Sequence, residues 1–344
     1  MNPQANTSRP IVVAGHACLD LIPRFKGPAR LEPGTLVEVG PMTIATGGVS
    51  NVGVALHRLG TPARLIHKIG DDELGITLRR TFESLSPEMA SDIRTVAGET
   101  TSYTVVVSPP GVDRMFVHCP GSNDTFASAD VPESALTGAS HLHFGYPPLM
   151  KVIREHPDQL KTIFDRARGM GLTTSLDFSS IDPESEAGRH DWRGWLKTVL
   201  ASCDFFLPSL DEACTAMRIE RPIGYAATRE VLFRLADMGP RVVMLKLGER
   251  GLIVYDRETS TVLDRPCFEV NVVSTTGSGD CTIAGFLYAL IAQHCDLSNA
   301  ATFAAAVGAF ACEVADATSG VPSARAVWAR QSKPWQTLPG IIKP

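Results

Sequence analysis

The 344-residue chain has no C-x-x-C pair among its eight cysteines, no run of lysine or arginine, and neither a G-x-x-x-x-G-K-S/T nor a G-x-G-x-x-G phosphate loop. Each absence removes a class of function. Scattered thiols argue against a structural zinc ribbon or a redox dithiol and suit a reducing cytosol. A net charge of −5 without a basic stripe leaves no surface for nucleic acid or an anionic membrane, so small molecules are the expected partners. No apolar run is long enough to cross a bilayer. The opening MNPQANTSRP is polar and proline-containing, so residues 1–9 read as a loose tail rather than a signal peptide, and the expected location is cytoplasmic. There is no internal repeat. With 44% apolar and 20% charged residues, the chain is an ordinary globular one that can bury a large core.

What is present is an alternation of strands and helices. From ASHLHFGYP onward it runs LHF, a helix over 151–169, TTSLDF, a helix over 191–201, DFFLP, SLDEACTAM, VVMLKLG, GLIVYD and AATFAAAVGAFACEVA. Such alternation predicts a mostly parallel sheet covered by helices on both faces, with ligands beyond the carboxyl ends of its strands. Earlier, Ile11–Ala14 reads as a buried strand, SNVGVALHRLG as a helix stopped by Gly60, ARLIHKIG as a strand and DDELGITLRRTFESL as an amphipathic helix. Two stretches lack helices. TLVEVG and MTIAT read as short strands, and TSYTVVVSPPGVDRMFVHC as a hairpin about PPGVD. These pieces are expected to pair as a small sheet, a β lid over 16–46 and 99–125, beside an α/β core of 10–15, 47–98 and 126–335.

The most informative stretch is VVSTTGSGDCTIAGFLYALIA, residues 272–292. Val272 and Val273 look like a strand end, Ser274 to Gly279 like a turn, and Thr282 to Ala292 like a buried helix. The glycines Gly277 and Gly279 therefore precede a helix, where unpaired N–H groups and the dipole attract an anion such as phosphate. Asp280 is then placed to act as a base in phosphoryl transfer; the plainer role of an aspartate there is a helix cap, which would not exclude catalysis and does not account for the glycines, threonines and serine packed before it. Glu212, with Asp211 beside it, could hold Mg²⁺ through water or could be a solvated first-turn carboxylate. Lys246 and the Gly248–Gly251 backbone could meet phosphates or form a plain turn. Asp20 with GGVSN (Gly47, Gly48, Asn51) offers the groups that recognise polyol hydroxyls. His141 and His143 share a strand face and could pair on a metal, though core histidines are commoner, and Cys281 reads as a small buried hydrophobe.

These motifs, in this order, resemble the ribokinase-like (PfkB) carbohydrate kinase family. STTGSGDCTIAGFL is similar to its C-terminal signature, with Thr275, Gly277, Gly279, Asp280, Ala284 and Gly285 matching; GGVSNVGVALHRLG with Gly70 resembles the N-terminal one. DFFLPSLDEA and VVMLKLGERGLIVY resemble the N-x-x-E element and the nucleotide-side strand pair. The resemblance covers about residues 10 to 325 and implies a three-layer α/β core with a β lid. It also implies ATP- and Mg²⁺-dependent phosphorylation of a sugar or nucleoside hydroxyl. By the same resemblance Asp280 is the catalytic base; Gly277, Ser278 and Gly279 form the anion hole; and Asp20, Gly47, Gly48 and Asn51 hold the sugar. Glu212 acts on Mg²⁺ and phosphates, with Lys246, Gly248 and Gly251 on the nucleotide side. Ser274 stands where Asp is commonest, an Asp that helps bind a monovalent cation; a K⁺ site would fall at Ser274 and Thr276. Ser209 replaces the Asn of N-x-x-E, GGVSN is one residue shorter than G-G-x-x-x-N, and SLDFSS lacks D-P-N-x-R. Alternatives are a nucleoside kinase, a sugar-phosphate kinase, or a catalytically silent binding regulator on the same fold. The family also implies dimerisation through the lid.

Overall fold

The computed structural model describes residues 9–111 and 115–341. Residues 1–8 of the tail expected over 1–9, and residues 112–114, which include the last two of PPGVD, lie outside the described residues. Fourteen strands are described: β1 (Ile11–Gly15), β2 (Ala17–Phe25), β3 (Val39–Gly48), β4 (Ala63–Ile66), β5 (Lys68–Gly70), β6 (Arg94–Val96), β7 (Tyr103–Val107), β8 (Met115–Cys119), β9 (His141–Gly145), β10 (Thr173–Leu176), β11 (Phe205–Phe206), β12 (Val242–Lys246), β13 (Leu252–Asp256) and β14 (Thr261–Arg265).

Eight of them form one sheet in the order β14-β13-β12-β11-β10-β9-β1-β4. All pairs from β4 to β12 are parallel, whereas β12–β13 and β13–β14 are antiparallel. Apolar strands such as β1 are buried on both sides because helices cover both faces. One face packs on Ser50–Leu59, Ser278–Leu287 and Leu297–Ala311, and the other on Pro157–Gly169, Trp192–Leu200, Leu210–Met217 and Tyr225–Ala236. The result is a three-layer α/β fold.

A second sheet, β3-β2-β7-β8, joins the two helix-free stretches. Only His16 separates β1 from β2, so one continuous run of chain passes from the large sheet into the small one. Asp20 therefore sits within a strand and not in a turn, opposite Ala45 of β3 and Thr104 of β7.

Other expectations need local correction. MTIAT lies within the single strand β3, and TLV precedes it outside any strand. The helix expected over 151–169 is two, Lys151–Glu155 and Pro157–Gly169, because Pro157 disfavours helical backbone at His156. Val272 and Val273 end no strand; they are 62% and 63% exposed, beyond the edge strand β14, where Val273 is held by an N–H bond to the Cys312 carbonyl. The following helix begins earlier than its apolar run, at Ser278, and passes into a π turn over Tyr288–Ala292. Its buried Ile283, Phe286 and Leu287 each contribute roughly 2 kcal/mol relative to exposure, enough together to fix the helix even though it carries a buried carboxylate.

Candidate active site

The glycine turn is built for its position. Gly277 has φ 71°, and a Cβ there would overlap Ala317, so only glycine fits. Within the turn, the Ser278 N–H donates to the Thr275 carbonyl (3.3 Å) and the Cys281 N–H to the Gly277 carbonyl (2.9 Å). The N–H groups of Gly279 and Asp280 meet no acceptor among the described residues. Two orphan donors at the positive end of a ten-residue helix make a site for an anion.

Asp280 is the third residue of that helix, and its side chain does not cap it. Its Oδ2 accepts from Asn51 Nδ2 (3.1 Å) and its Oδ1 from the Tyr146 hydroxyl (2.9 Å), at 3% exposure. Burial pushes the carboxyl up from 3.8 to about 6, against the pull of Lys246 and the two hydrogen bonds. Asn51 is fixed in turn by Thr46, whose hydroxyl donates to Asn51 Oδ1 (3.0 Å). Asp20 faces Gly47, where a Cβ would overlap its carboxylate, and Gly48 lies equally close to His16. The Asp20 carboxyl is also lifted to about 6, by burial first and further by Asp280. The structure thus gathers Asp20, Gly47, Asn51 and Asp280 at one place.

On the other flank, the half-buried Lys246 Nζ lies 2.9 Å from Oδ1 of the buried Asp177 and comes so near Gly279 that a Cβ there would be 3.5 Å from Nζ. Burial would lower Lys246, but the Asp177 and Glu212 carboxylates outweigh it and hold the ammonium above its ordinary value. Glu212 accepts the Ser209 N–H (2.7 Å) while Ser209 Oγ accepts the Glu212 N–H (3.1 Å), a reciprocal capping box. Ser209 thus works as a helix cap. Asp211 turns away to Arg221 (3.0 Å) at the surface.

Gly248 and Gly251 close the β12–β13 turn, and the Gly251 N–H is spent on the Gly248 carbonyl (3.0 Å). Ser274 Oγ accepts the Thr276 N–H (3.2 Å) in a local turn. His141 and His143 share Ser175, whose Oγ is 2.7 Å from a nitrogen of each, as a buried polar network of the core. Among the described residues no three metal-ligating side chains cluster. The Cys281 thiol donates to the Ala317 carbonyl (3.1 Å), and burial raises it well above its usual range, so it is an inert core group.

Four members of this cluster were missed by the sequence reading: His16, His118, Tyr146 and Asp177. His16 stacks on Tyr146 (6.0 Å between centroids, 18°), and its Nε2 lies 3.3 Å from His118 Nε2 of β8. Burial keeps both imidazoles below their ordinary range.

The model of the pfkB family carbohydrate kinases matches residues 8–324. The chain belongs to that family. It is 27% identical over 263 residues to an ATP-dependent ribose-1-phosphate kinase of Halopiger xanaduensis, covering 76% of this chain and 78% of the relative. It is 25% identical over 339 residues to a nucleoside kinase of Methanothermobacter thermautotrophicus, 97% and 99% of the two chains. In fold it is similar to an Arabidopsis thaliana ribokinase complexed with ribose and ATP, with a TM-score of 0.76, 18% identity and coverage of 94% and 98%. This pfkB member is thus a phosphotransferase, a sugar or nucleoside kinase, and kinases of the family use ATP, generally with a divalent metal. Its donors suit that pair of guests: orphan N–H groups and Lys246 for phosphate oxygens, and the Glu212 carboxylate for an ion that keeps most of its water.

Proposed function

We propose that this pfkB kinase transfers the γ-phosphate of ATP to a hydroxyl of a small sugar or sugar derivative, with Asp280 as the general base. The observation that carries the reading is a buried carboxylate, held on both oxygens, beside the orphan N–H groups of its own helix. The acceptor hydroxyl gives its proton to Asp280 as its oxygen attacks the phosphorus and the bond to ADP breaks. The unpaired N–H groups of Gly279 and Asp280, with Gly277 beside them and Lys246, balance the charge of the transferring group, whereas the Ser278 N–H of the expected anion hole is already given to the Thr275 carbonyl. Asp20, Gly47, Gly48 and Asn51 hold the acceptor. Glu212 would hold Mg²⁺ through water, where the ion would draw charge from the phosphates. The eight free cysteines suit a cytoplasmic home, and the exposed apolar residues Met42, Ile44 and Val117 of the small sheet suit pairing of two copies there.

A nucleoside acceptor is the second reading, favoured by similarity to a nucleoside kinase along nearly the whole chain. The deciding experiment is ADP release from ATP and Mg²⁺ over sugars, sugar acids, sugar phosphates and nucleosides, with Asp280→Asn in parallel. Turnover on one class that falls about 10²- to 10⁴-fold in the variant supports the reading and names the class. Full activity in Asp280→Asn would remove it from the chemistry; silence across the panel with ATP still bound would favour a binding regulator.

A further inference from the structure

Resting on the reading of Asp280 as base, we propose that Tyr146 is a positioning residue, whose hydroxyl fixes the Asp280 carboxylate for proton abstraction. Tyr146 is the first residue past β9 and has left-handed backbone, φ 66° and ψ 38°. A bulky aromatic persists there only where its surroundings over-determine it. They do so here. Gly145 before it is pressed against Val49, Pro147 and Pro148 after it are buried, and its ring lies on His16, whose far nitrogen meets His118 of the small sheet. The outcome of that constraint is a hydroxyl 2.9 Å from Asp280 Oδ1, while Asn51, from a different helix, holds Oδ2.

Two donors from separate elements leave the carboxylate no rotational freedom. Phenylalanine would satisfy the packing; only the hydrogen bond to Asp280 calls for tyrosine. The other titratable groups that face Asp280 are Lys246, Glu212, Asp177, Asp20 and the thiols of Cys18 and Cys281. Among the described residues none of these six donates a hydrogen bond to it, so Asn51 and Tyr146 are its side-chain donors.

The test is Tyr146→Phe, which keeps the ring and removes only the donor. Losing a donor to the charged form should move the acid limb of kcat/KM upward by about one pH unit. It should also lower kcat about tenfold near the limb with KM for ATP unchanged. An incorporated 3-fluorotyrosine, a stronger donor, should move the limb the opposite way. A readout without turnover is the infrared carbonyl band of protonated Asp280, identified by its loss in Asp280→Asn; its titration should rise in Tyr146→Phe. An unshifted band or limb overturns the proposal. So does a gain in kcat with a lower acceptor KM, which would mean that the phenol occupies the place of the acceptor hydroxyl. Full activity in Asp280→Asn refutes the base reading instead, and the infrared titration still decides whether Tyr146 governs the carboxylate.

Discussion

Placing a carboxylate where Asp280 sits destabilises the fold, and the amount can be worked out. Burial lifts the group from 3.8 to about 6, so the folded state holds its proton more tightly than the unfolded chain does. Such a group costs nothing when protonated in both states; the cost grows as pH rises from the unfolded to the folded value and is constant above. Between about pH 4.5 and about pH 7.5 the penalty should increase by about 2 kcal/mol. Asp280→Asn cannot titrate, so relative to wild type it should gain about that much stability across the same interval. Both hydrogen bonds can survive the change, since the amide carbonyl can accept from Asn51 while its NH₂ donates to the Tyr146 hydroxyl, which is also an acceptor. The assay is urea unfolding of both proteins at the two pH values, without ligand. A difference that stays the same at both would refute the claim that burial dominates this carboxyl, whatever the variant does to turnover.

Lys246→Met should be costly in another way, and more so as pH rises, because burial already lifts Asp177, 2% exposed, to about 8 against the pull of Lys246, and without that partner its ionised form is left unpaired. Adding Asp177→Asn should restore most of that stability but not turnover, as urea midpoints and ADP release will show. Gly277→Ala should lose about 2 kcal/mol or more, from left-handed backbone and overlap with Ala317, and should weaken ATP binding measured by calorimetry. Gly47→Ala should drive Asp20 from its place, raising KM for the acceptor about tenfold or more with KM for ATP unchanged.

The sequence disclosed what local physics dictates. Strand–helix alternation announced the three-layer core, two helix-free stretches announced the small sheet, and a glycine turn before an apolar helix announced a helix start with unpaired N–H groups and Asp280 in its first turn. Single residues that matter only through distant partners had no such signal. Asp177, Tyr146 and His16 each stand alone in their segments, and their importance appears when 69, 134 and 102 positions of separation close to Lys246, Asp280 and His118.

Even so, the three share one address. Each is the first residue past the carboxyl end of a parallel strand: His16 after β1, Tyr146 after β9, Asp177 after β10. Parallel strands end along one edge of the sheet, so a polar residue placed there is delivered to a common crevice whatever its spacing in sequence. His67, the first residue past β4, obeys the same rule but turns its ring to the Gly15 carbonyl (2.8 Å) and serves the scaffold. The rule therefore nominates candidates, and the hydrogen-bond partner separates a residue that reaches the buried Asp280 carboxylate from one that only props the edge of the sheet.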